Sequence, residues 1–124
     1  MKLGMQTASG QEIERKIARL VLDDLFAAGY TVHINDGEED LATLEPDTKN
    51  ATQIGLDRMF DTDEAHLLVT KGGKAKSFVS FYWGNAADCI HGYGNSLEPV
   101  LFHSLAVANY LRRRELTQMG WHGH

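Results

Sequence analysis

Histidine and cysteine are the residues of this chain that could do chemistry near neutral pH, because imidazole titrates there and a thiolate is a nucleophile. The 124-residue sequence holds six histidines and one cysteine. Three histidines fall on segments with strand-like alternation, and the cysteine stands close to one of them: His33, His66, His91 and Cys89. Where the faces of those strands coincide, these residues would form one surface with Ser80 and Tyr82.

No spacing in the sequence matches a metal or catalytic motif. Zinc sites use pairs such as Cys-x2-Cys or His-Glu-x-x-His, and neither occurs. An EF-type calcium loop starting at Asp36 would need Gly and Glu where the chain has Leu41 and Asp47. Asp88 would raise the pKa of the adjacent Cys89 thiol, so we expect Cys89 to be a packed apolar residue. We predict no metal, no cofactor and no catalytic residue, and we favour a non-enzymatic protein.

Three segments show the apolar periodicity of amphipathic helices. Capping-box patterns begin the first two, at about residues 9–28 and 50–61. The third is expected to begin at Asn95 or Ser96, with a proline in its first turn.

Strand-like alternation is clear in residues 30–35, and Gly72 and Gly73 join two β-rich runs as a hairpin turn would. A further strand is expected in DCIHGY, residues 88–93. We therefore predict an α+β fold, a two-layer sandwich in which an antiparallel sheet of about four strands carries helices on one face. The predicted element order is α-β-α-β-β-β-α.

Length and composition are those of one domain covering residues 1–124, of which 1–8 and 115–124 are expected to be flexible. A single cysteine excludes an internal disulfide, and the N-terminus has no secretory signal pattern, so we expect a cytoplasmic protein. Polar residues interrupt the most apolar stretch, 97–111, so no membrane insertion is expected.

Charge is distributed unevenly along the chain. The formal net charge is −5, which argues against direct nucleic-acid binding. Residues 36–64 hold ten acidic and two basic side chains, a local net charge of −8, and the segment DGEED (36–40) has the densest acids. This segment is expected to be a mobile turn and loop, and it could bind a basic partner by electrostatic complementarity.

Aromatic residues cluster in FVSFYW, residues 78–83. Alternation would direct Val79, Phe81 and Trp83 into the core and leave Phe78 and Tyr82 on the other face. Exposed aromatic side chains of this kind anchor protein interfaces, although the C-terminal tail or the loop 36–49 could instead cover them. The predicted binding residues are Asp36, Glu38, Glu39, Asp40, Phe78, Tyr82, His91, Tyr93 and Asn95.

The segments DGEE (36–39), MFDTDEAHLLV (59–69) and FVSFYWGNAADCIHGYGNSLEPVL (78–101) resemble a group of small uncharacterised phage and mobile-element proteins. That group repeats a Met-Phe-Thr-Thr-Asp-Glu segment, a Val-Tyr-Gly-Asn-Asp-Gly-Trp-Asp-Val-Ile turn and strand, and an Asn-Leu-Glu helix start. The chain departs from it at Ala86 and Ala87 and by an extra residue between Asn95 and Leu97. The resemblance implies a phage or plasmid origin and no established activity.

Two functional hypotheses follow. The first is a non-enzymatic binding protein, such as a phage-encoded modulator or inhibitor of a host or defence protein, that uses the acidic surface and the aromatic sheet face to bind a protein partner or a second copy. The alternative is a small-ligand or nucleotide-binding protein whose anion site is the turn from Gly92 to Ser96, with Lys71–Lys76 or Arg112–Arg114 as counter-charges.

Overall fold

The computed structural model describes the chain at residues 8–84 and 88–118. The described residues form three α-helices, five strands and a short 3-10 turn. In chain order the elements are α1 (Ala8–Ala27), β1 (Thr31–Asn35), β2 (Asp40–Leu44), α2 (Ala51–Met59), β3 (Glu64–Lys71), β4 (Lys74–Tyr82), β5 (Ile90–Tyr93), the 3-10 turn (Asn95–Leu97) and α3 (Glu98–Gln118).

The five strands form one antiparallel sheet in the order β2-β1-β3-β4-β5. The α+β class and the antiparallel sheet are as predicted, but the predicted count of about four strands and the predicted element order are wrong because β2 was missed. Among the described residues, no helix combines the length and apolarity needed to cross a bilayer.

The missed strand lies in the segment that was predicted to be an acidic loop. The loop is confined to a tight turn, in which the Asp36 carboxylate accepts hydrogen bonds from the backbone amides of Glu38 (2.9 Å) and Glu39 (2.7 Å). The following residues pair with β1, and Leu44 is buried opposite Val32. Burial of that leucine and the strand ladder outweigh the unfavourable strand propensity of the acidic residues, which is a weak preference.

The hairpin of β3 and β4 forms as predicted. Gly72 and Gly73 have positive φ angles of 65° and 79°, the left-handed conformation that a two-residue hairpin turn requires. Val79 lies opposite Leu67 and is buried, whereas the adjacent residues Phe78 and Leu68 lie opposite each other and point to the other face.

The three helices share one side of the sheet and enclose the core with it. α1 contacts both α2 and α3, and the buried core combines residues of these helices with the inward residues of the strands: Ile17, Leu22, Leu25, Leu56, Leu101, Val32, Ile34, Leu67, Val79 and Phe81. Trp83 stacks on Phe81 and Phe60 at this side, as alternation predicted, and its indole N–H donates to the carbonyl of Met59 (2.9 Å).

The predicted side-chain caps of α2 and α3 are wrong. Asn50 precedes α2 in a left-handed conformation (φ 60°) and makes no capping hydrogen bond. Asn95 begins a single 3-10 turn, so α3 starts only at Glu98. Both helices still begin within three residues of the predicted positions, because packing of their apolar faces stabilises a helix whether or not its cap forms.

The polar contact that joins α1 to α3 provides a test of the helix layer. Ser104 is fully buried, and its hydroxyl donates to the Asp24 carboxylate over 2.6 Å. Ser104→Ala should lower the free energy of unfolding by about 1.5–3 kcal/mol, because it removes a hydrogen bond to a charged group. Asn109→Ala, at an exposed position of the same helix, should change it by less than about 0.5 kcal/mol. Urea unfolding of both variants measures this, and equal values would contradict the packing.

Candidate functional site

The face of the sheet opposite the helices, here called the open face, carries the alternate side chains of the three central strands. They pair across the strands in the order expected of an antiparallel sheet: Thr31 with Thr70, His33 with Leu68, Asn35 with His66, Leu68 with Phe78, His66 with Ser80 and Glu64 with Tyr82. No element of residues 8–84 or 88–118 covers this face, and Leu68, Phe78 and Tyr82 are 43%, 46% and 41% exposed. The predicted direction of Phe78 and Tyr82, away from the core, is confirmed.

Glu64, His66 and Ser80 form a hydrogen-bonded array on the open face. One nitrogen of His66, Nε2, lies 2.7 Å from the Glu64 carboxylate, and the other, Nδ1, lies 2.9 Å from the Ser80 hydroxyl. With neutral imidazole, Nε2–H donates to the carboxylate and Nδ1 accepts the hydroxyl proton. Carboxylate, imidazole and hydroxyl follow in the order of a serine hydrolase triad, but the two ring nitrogens have exchanged roles.

An oxyanion site, which such a triad needs for acyl transfer, is lacking among the described residues around Ser80. β4 lies between β3 and β5, so its backbone amides lie in the plane of the sheet and bond to the neighbouring strands. Amides in that plane do not point at the space above the hydroxyl, where the oxyanion of an ester substrate would form. Among the described residues, the array thus satisfies polar groups of the sheet and has no backbone oxyanion donor beside it.

The other two strand histidines also have neighbours on this face. His33 lies within 3.2 Å of the Thr43 hydroxyl and 3.0 Å of the Thr70 hydroxyl. His91 packs edge-to-face against Tyr82, with ring centroids 4.5 Å apart. The structure thus brings all three histidines to the open face. The sequence alone did not decide whether they share a face. Each histidine contacts its own set of neighbours.

A bulge in β5 separates His91 from its predicted neighbours. Between the pairs Ser80–Gly92 and Phe81–Ile90, β5 has one extra residue, and alternation is interrupted there. His91 therefore points to the open face, whereas Tyr93 lies opposite Val79 and packs against the core. Regular alternation over the predicted strand 88–93 would put Tyr93 and Cys89 on the face of His91, which is wrong: the bulge turns Tyr93 to the core, and Cys89 precedes β5 and is buried.

Cys89 is a fully buried core residue, as the sequence predicted. Burial in the apolar interior raises the pKa of its thiol far above the ordinary value, and the carboxylates of Glu14 and Asp88 add to that shift. A thiol in this environment is not ionised near neutral pH, so Cys89 does not supply a nucleophile.

The predicted acidic residues lie at one end of the open face. Asp36, Glu38, Asp63 and Glu64 line an open groove of about 510 Å³ together with Gly37 and Thr62. Backbone hydrogen bonds from Glu39 and Glu38 lower the pKa of Asp36, and His66 adds to that effect, so this carboxylate stays ionised. Within the described part of the chain, no lysine or arginine forms an ion pair with the four acids Asp36, Glu38, Glu39 and Asp40.

The turn proposed as an anion site is built for close packing. A Cβ atom on Gly94 would lie within 1.7 Å of the Ser77 hydroxyl oxygen, and the Gly94 amide donates to the carbonyl of Phe78 over 3.0 Å. Gly94 thus lets the chain pass close to β4. Asn95 is exposed on this turn and does not line the acidic groove.

The open face contains both predicted residues and residues that sequence reasoning missed. The predicted ones are those of the acidic turn, Phe78, Tyr82 and His91. Leu68 and the Glu64–His66–Ser80 array are the principal additions. The pair Leu67-Leu68 hides the alternation, because the sequence does not show which leucine is inward. No group of three or more His, Cys, Asp or Glu side chains among residues 8–84 and 88–118 is arranged to hold a metal ion.

Comparison with known proteins does not extend this description: no family model, no curated protein sequence and no solved structure matches the chain.

The packing role of Gly94 is testable by substitution. Its φ and ψ angles, −72° and 139°, are accessible to alanine, so the cost of Gly94→Ala is steric alone. We expect the free energy of unfolding to fall by about 1–3 kcal/mol, as for other overpacked positions. Gly92→Ala is the matched control, because a Cβ atom there would meet no atom within 4 Å. Chemical denaturation that shows no difference between the two would contradict the packing role.

The lack of an oxyanion site predicts that Ser80 is unreactive. A fluorophosphonate probe should leave Ser80 unmodified in the folded protein, as measured by peptide mass spectrometry, because the attacked phosphorus needs the same oxyanion stabilisation. Modification of Ser80 in the wild-type chain that disappears in His66→Gln would reveal an activated serine and would overturn the non-enzymatic interpretation.

Proposed function

We propose that the protein is a non-enzymatic binding protein that docks a partner protein on its open face. The observation that carries this proposal is the exposed pair Leu68 and Phe78, which lie opposite each other at the centre of the sheet. Apolar side chains at such a position gain free energy when a partner covers them, at roughly 25 cal/mol per Å² of area removed from water. Aromatic side chains at the centre of a patch are the usual anchors of protein interfaces.

The shape of the open face favours a protein over a small molecule. Small-ligand sites are concave and bury most of the ligand, whereas this surface is a sheet whose groove is open to solvent. The polar side chains around the apolar pair already bond to one another, as in the contacts of His33 and His66. A partner could therefore cover them with little loss of hydrogen bonding, as at the rim of a protein interface.

The negative charge beside the open face indicates which kind of partner would be complementary to it. The acidic turn and the groove place Asp36, Glu38, Asp63 and Glu64 beside the aromatic face. A complementary partner therefore carries lysine or arginine side chains next to an apolar patch. A host or defence protein is the partner class of our hypothesis, and the phage origin remains a prediction.

Paired variants of the open face test this proposal. Leu68→Thr with Phe78→Thr removes the apolar anchors but keeps residues of high strand propensity. Biotinylated wild-type and variant proteins are used to capture proteins from a host lysate, and the dominant captured protein is purified for titration. We expect the variant to bind it at least about tenfold more weakly, the usual consequence of removing central anchors. Two outcomes would contradict the proposal. The captured protein could bind the wild-type chain and the variant with equal affinity, or the wild-type chain could capture no protein that the variant does not capture equally well.

A second pair of variants tests the electrostatic contribution with the same captured partner. Glu38→Gln with Glu39→Gln should weaken binding several-fold and should reduce its dependence on salt, because both carboxylates are exposed beside the groove. Glu12→Gln with Asp47→Asn is the control, since it changes the net charge equally at exposed positions outside the groove. Titration at low and high salt separates the two, and an unchanged salt dependence in the first variant rejects the acidic contact.

A further inference from the structure

Strand β2 forms one edge of the sheet, and its outer side has no partner strand among residues 8–84 and 88–118. An edge of this kind carries backbone N–H and C=O groups that bond to no other strand, and it can pair with an extended segment of another chain. The direction of these groups alternates along a strand, so only some residues of β2 present them outward.

Thr43 is the residue in the regular part of β2 whose backbone points outward. Across the β1–β2 turn, the amide of Asp36 donates to the carbonyl of Glu39 (3.2 Å), so the even-numbered residues of β1 are the ones that bond to β2. Two of them pair with residues of β2: Val32 with Leu44 and Ile34 with Ala42. Thr43 lies between these two partners, so its N–H and C=O groups face solvent, and its side chain is exposed.

An exposed apolar side chain overhangs this edge on the helix side. A Cβ atom on Gly55 would lie 3.3 Å from the Leu44 side chain, so α2 passes directly over β2. Thr52 of α2 bonds to Asp23 of α1, and Ile54 points about 160° away from Thr52 round the helix. Ile54, which is 38% exposed, therefore lies on the side of α2 away from α1, above the outer side of β2. A strand added to β2 would direct alternate side chains towards it.

The charge at both ends of β2 selects the kind of segment that fits its edge. Residues 36–48 contain six acidic side chains and no basic one. Glu39 and Asp40 stand at the start of β2 and Glu45 follows its last residue, and all three are exposed. Pairing of β2 with a second copy of itself, in either direction, would bring these acids together, which is unfavourable. A segment with lysine or arginine at both ends would instead form opposite-charge contacts.

We propose that the outer edge of β2 binds an extended segment of a partner protein as a sixth strand, and that this segment has alternating apolar and polar residues between basic ends. The backbone of Thr43 bonds to the segment, Ile54 contacts its inward side chains, and the acids attract its basic ends. This site goes beyond the docking surface of the open face, because Leu68 and Phe78 lie on β3 and β4 and not at the edge.

A defined peptide tests strand addition. The probe is the end-blocked peptide Lys-Val-Thr-Val-Thr-Val-Lys, and the matched control has glutamate in place of both lysines. We expect the lysine peptide to bind with a dissociation constant on the order of 0.1–1 mM, and the glutamate peptide at least about tenfold more weakly. Titration followed by NMR measures both affinities. Equal affinities, or no binding of the lysine peptide at ~3 mM, would overturn the proposal.

Hydrogen exchange in the same samples shows where the lysine peptide binds. The amide of Thr43 should exchange at least about tenfold more slowly in the complex, because its N–H acquires a bonding partner. The amides of Ala42 and Leu44 already face β1 and are the internal controls. Unchanged exchange at Thr43 with saturating peptide would overturn the proposal. This measurement uses the wild-type chain, so it does not depend on the folding of any variant.

A pair of variants at Thr43 tests the backbone contact. Thr43→Pro removes the outward N–H, and proline is accepted in edge strands where that group faces solvent. Thr43→Val is the control, since it keeps the N–H while both variants lose the hydroxyl contact with His33. The proline variant should bind the lysine peptide at least about tenfold more weakly than the valine variant. Equal affinity of two folded variants would contradict strand addition.

The open-face variant separates this site from the proposed function. Leu68→Thr with Phe78→Thr should bind the lysine peptide within about twofold of the wild-type chain, because the distant sites act independently. Loss of peptide binding in that variant would assign the peptide to the open face and would overturn the edge site. Capture of a partner by the open face is measured without the peptide, so either proposal can fail while the other stands.

Discussion

The register of the β3–β4 hairpin determines which side chains of this protein are buried and which face the solvent. Gly72 and Gly73 provide the turn, and the pair Leu67–Val79 lies inside while the pair Leu68–Phe78 lies outside. Because side chains alternate along a strand, a slip of one residue in either strand would turn the inward residue of that strand to the open face. Burial of Leu67 and Val79 in the core opposes that slip, since it would place one of these side chains in water at a cost of about 1.5–3 kcal/mol.

Much of the fold was predictable from local patterns. The hairpin, the inward alternation of β4, the helix stripes and the buried Cys89 depend on neighbours close in sequence, and the structure confirms them. Strand β2 was missed because its acidic turn and short apolar segment look like a loop until β1 pairs with it. The bulge that turns Tyr93 towards the core has no local signal either, because it depends on how β5 packs beside β4.

Less of the candidate site than of the fold could be predicted from local sequence patterns. Asp36, Phe78, Tyr82 and His91 could be proposed from charge and alternation alone. The Glu64–His66–Ser80 array needs two strands in one register, since Ser80 is 14 residues from His66 in the chain. Its identification as a structural array rests on the direction of the β4 amides, which is a property of the assembled sheet.

The open face divides into groups that are satisfied within the chain and groups that are not. His33 and His66 bond to hydroxyl groups of neighbouring strands, and the Asp36 carboxylate is held by the backbone of its own turn. Leu68, Phe78 and the exposed acids gain nothing comparable from the described residues. That contrast between a saturated polar network and uncovered apolar and charged groups is the physical basis of the binding proposal.

The most direct test is the accessibility of neighbouring positions in β4 to a thiol reagent, compared between Phe78→Cys and Val79→Cys. Cys89 is buried and provides an internal background. The account predicts that the thiol at position 78 reacts at nearly the rate of an unfolded peptide, while the thiol at position 79 is protected by about a hundredfold or more. Equal protection at both positions would show that a second layer covers the open face and would contradict the central claim.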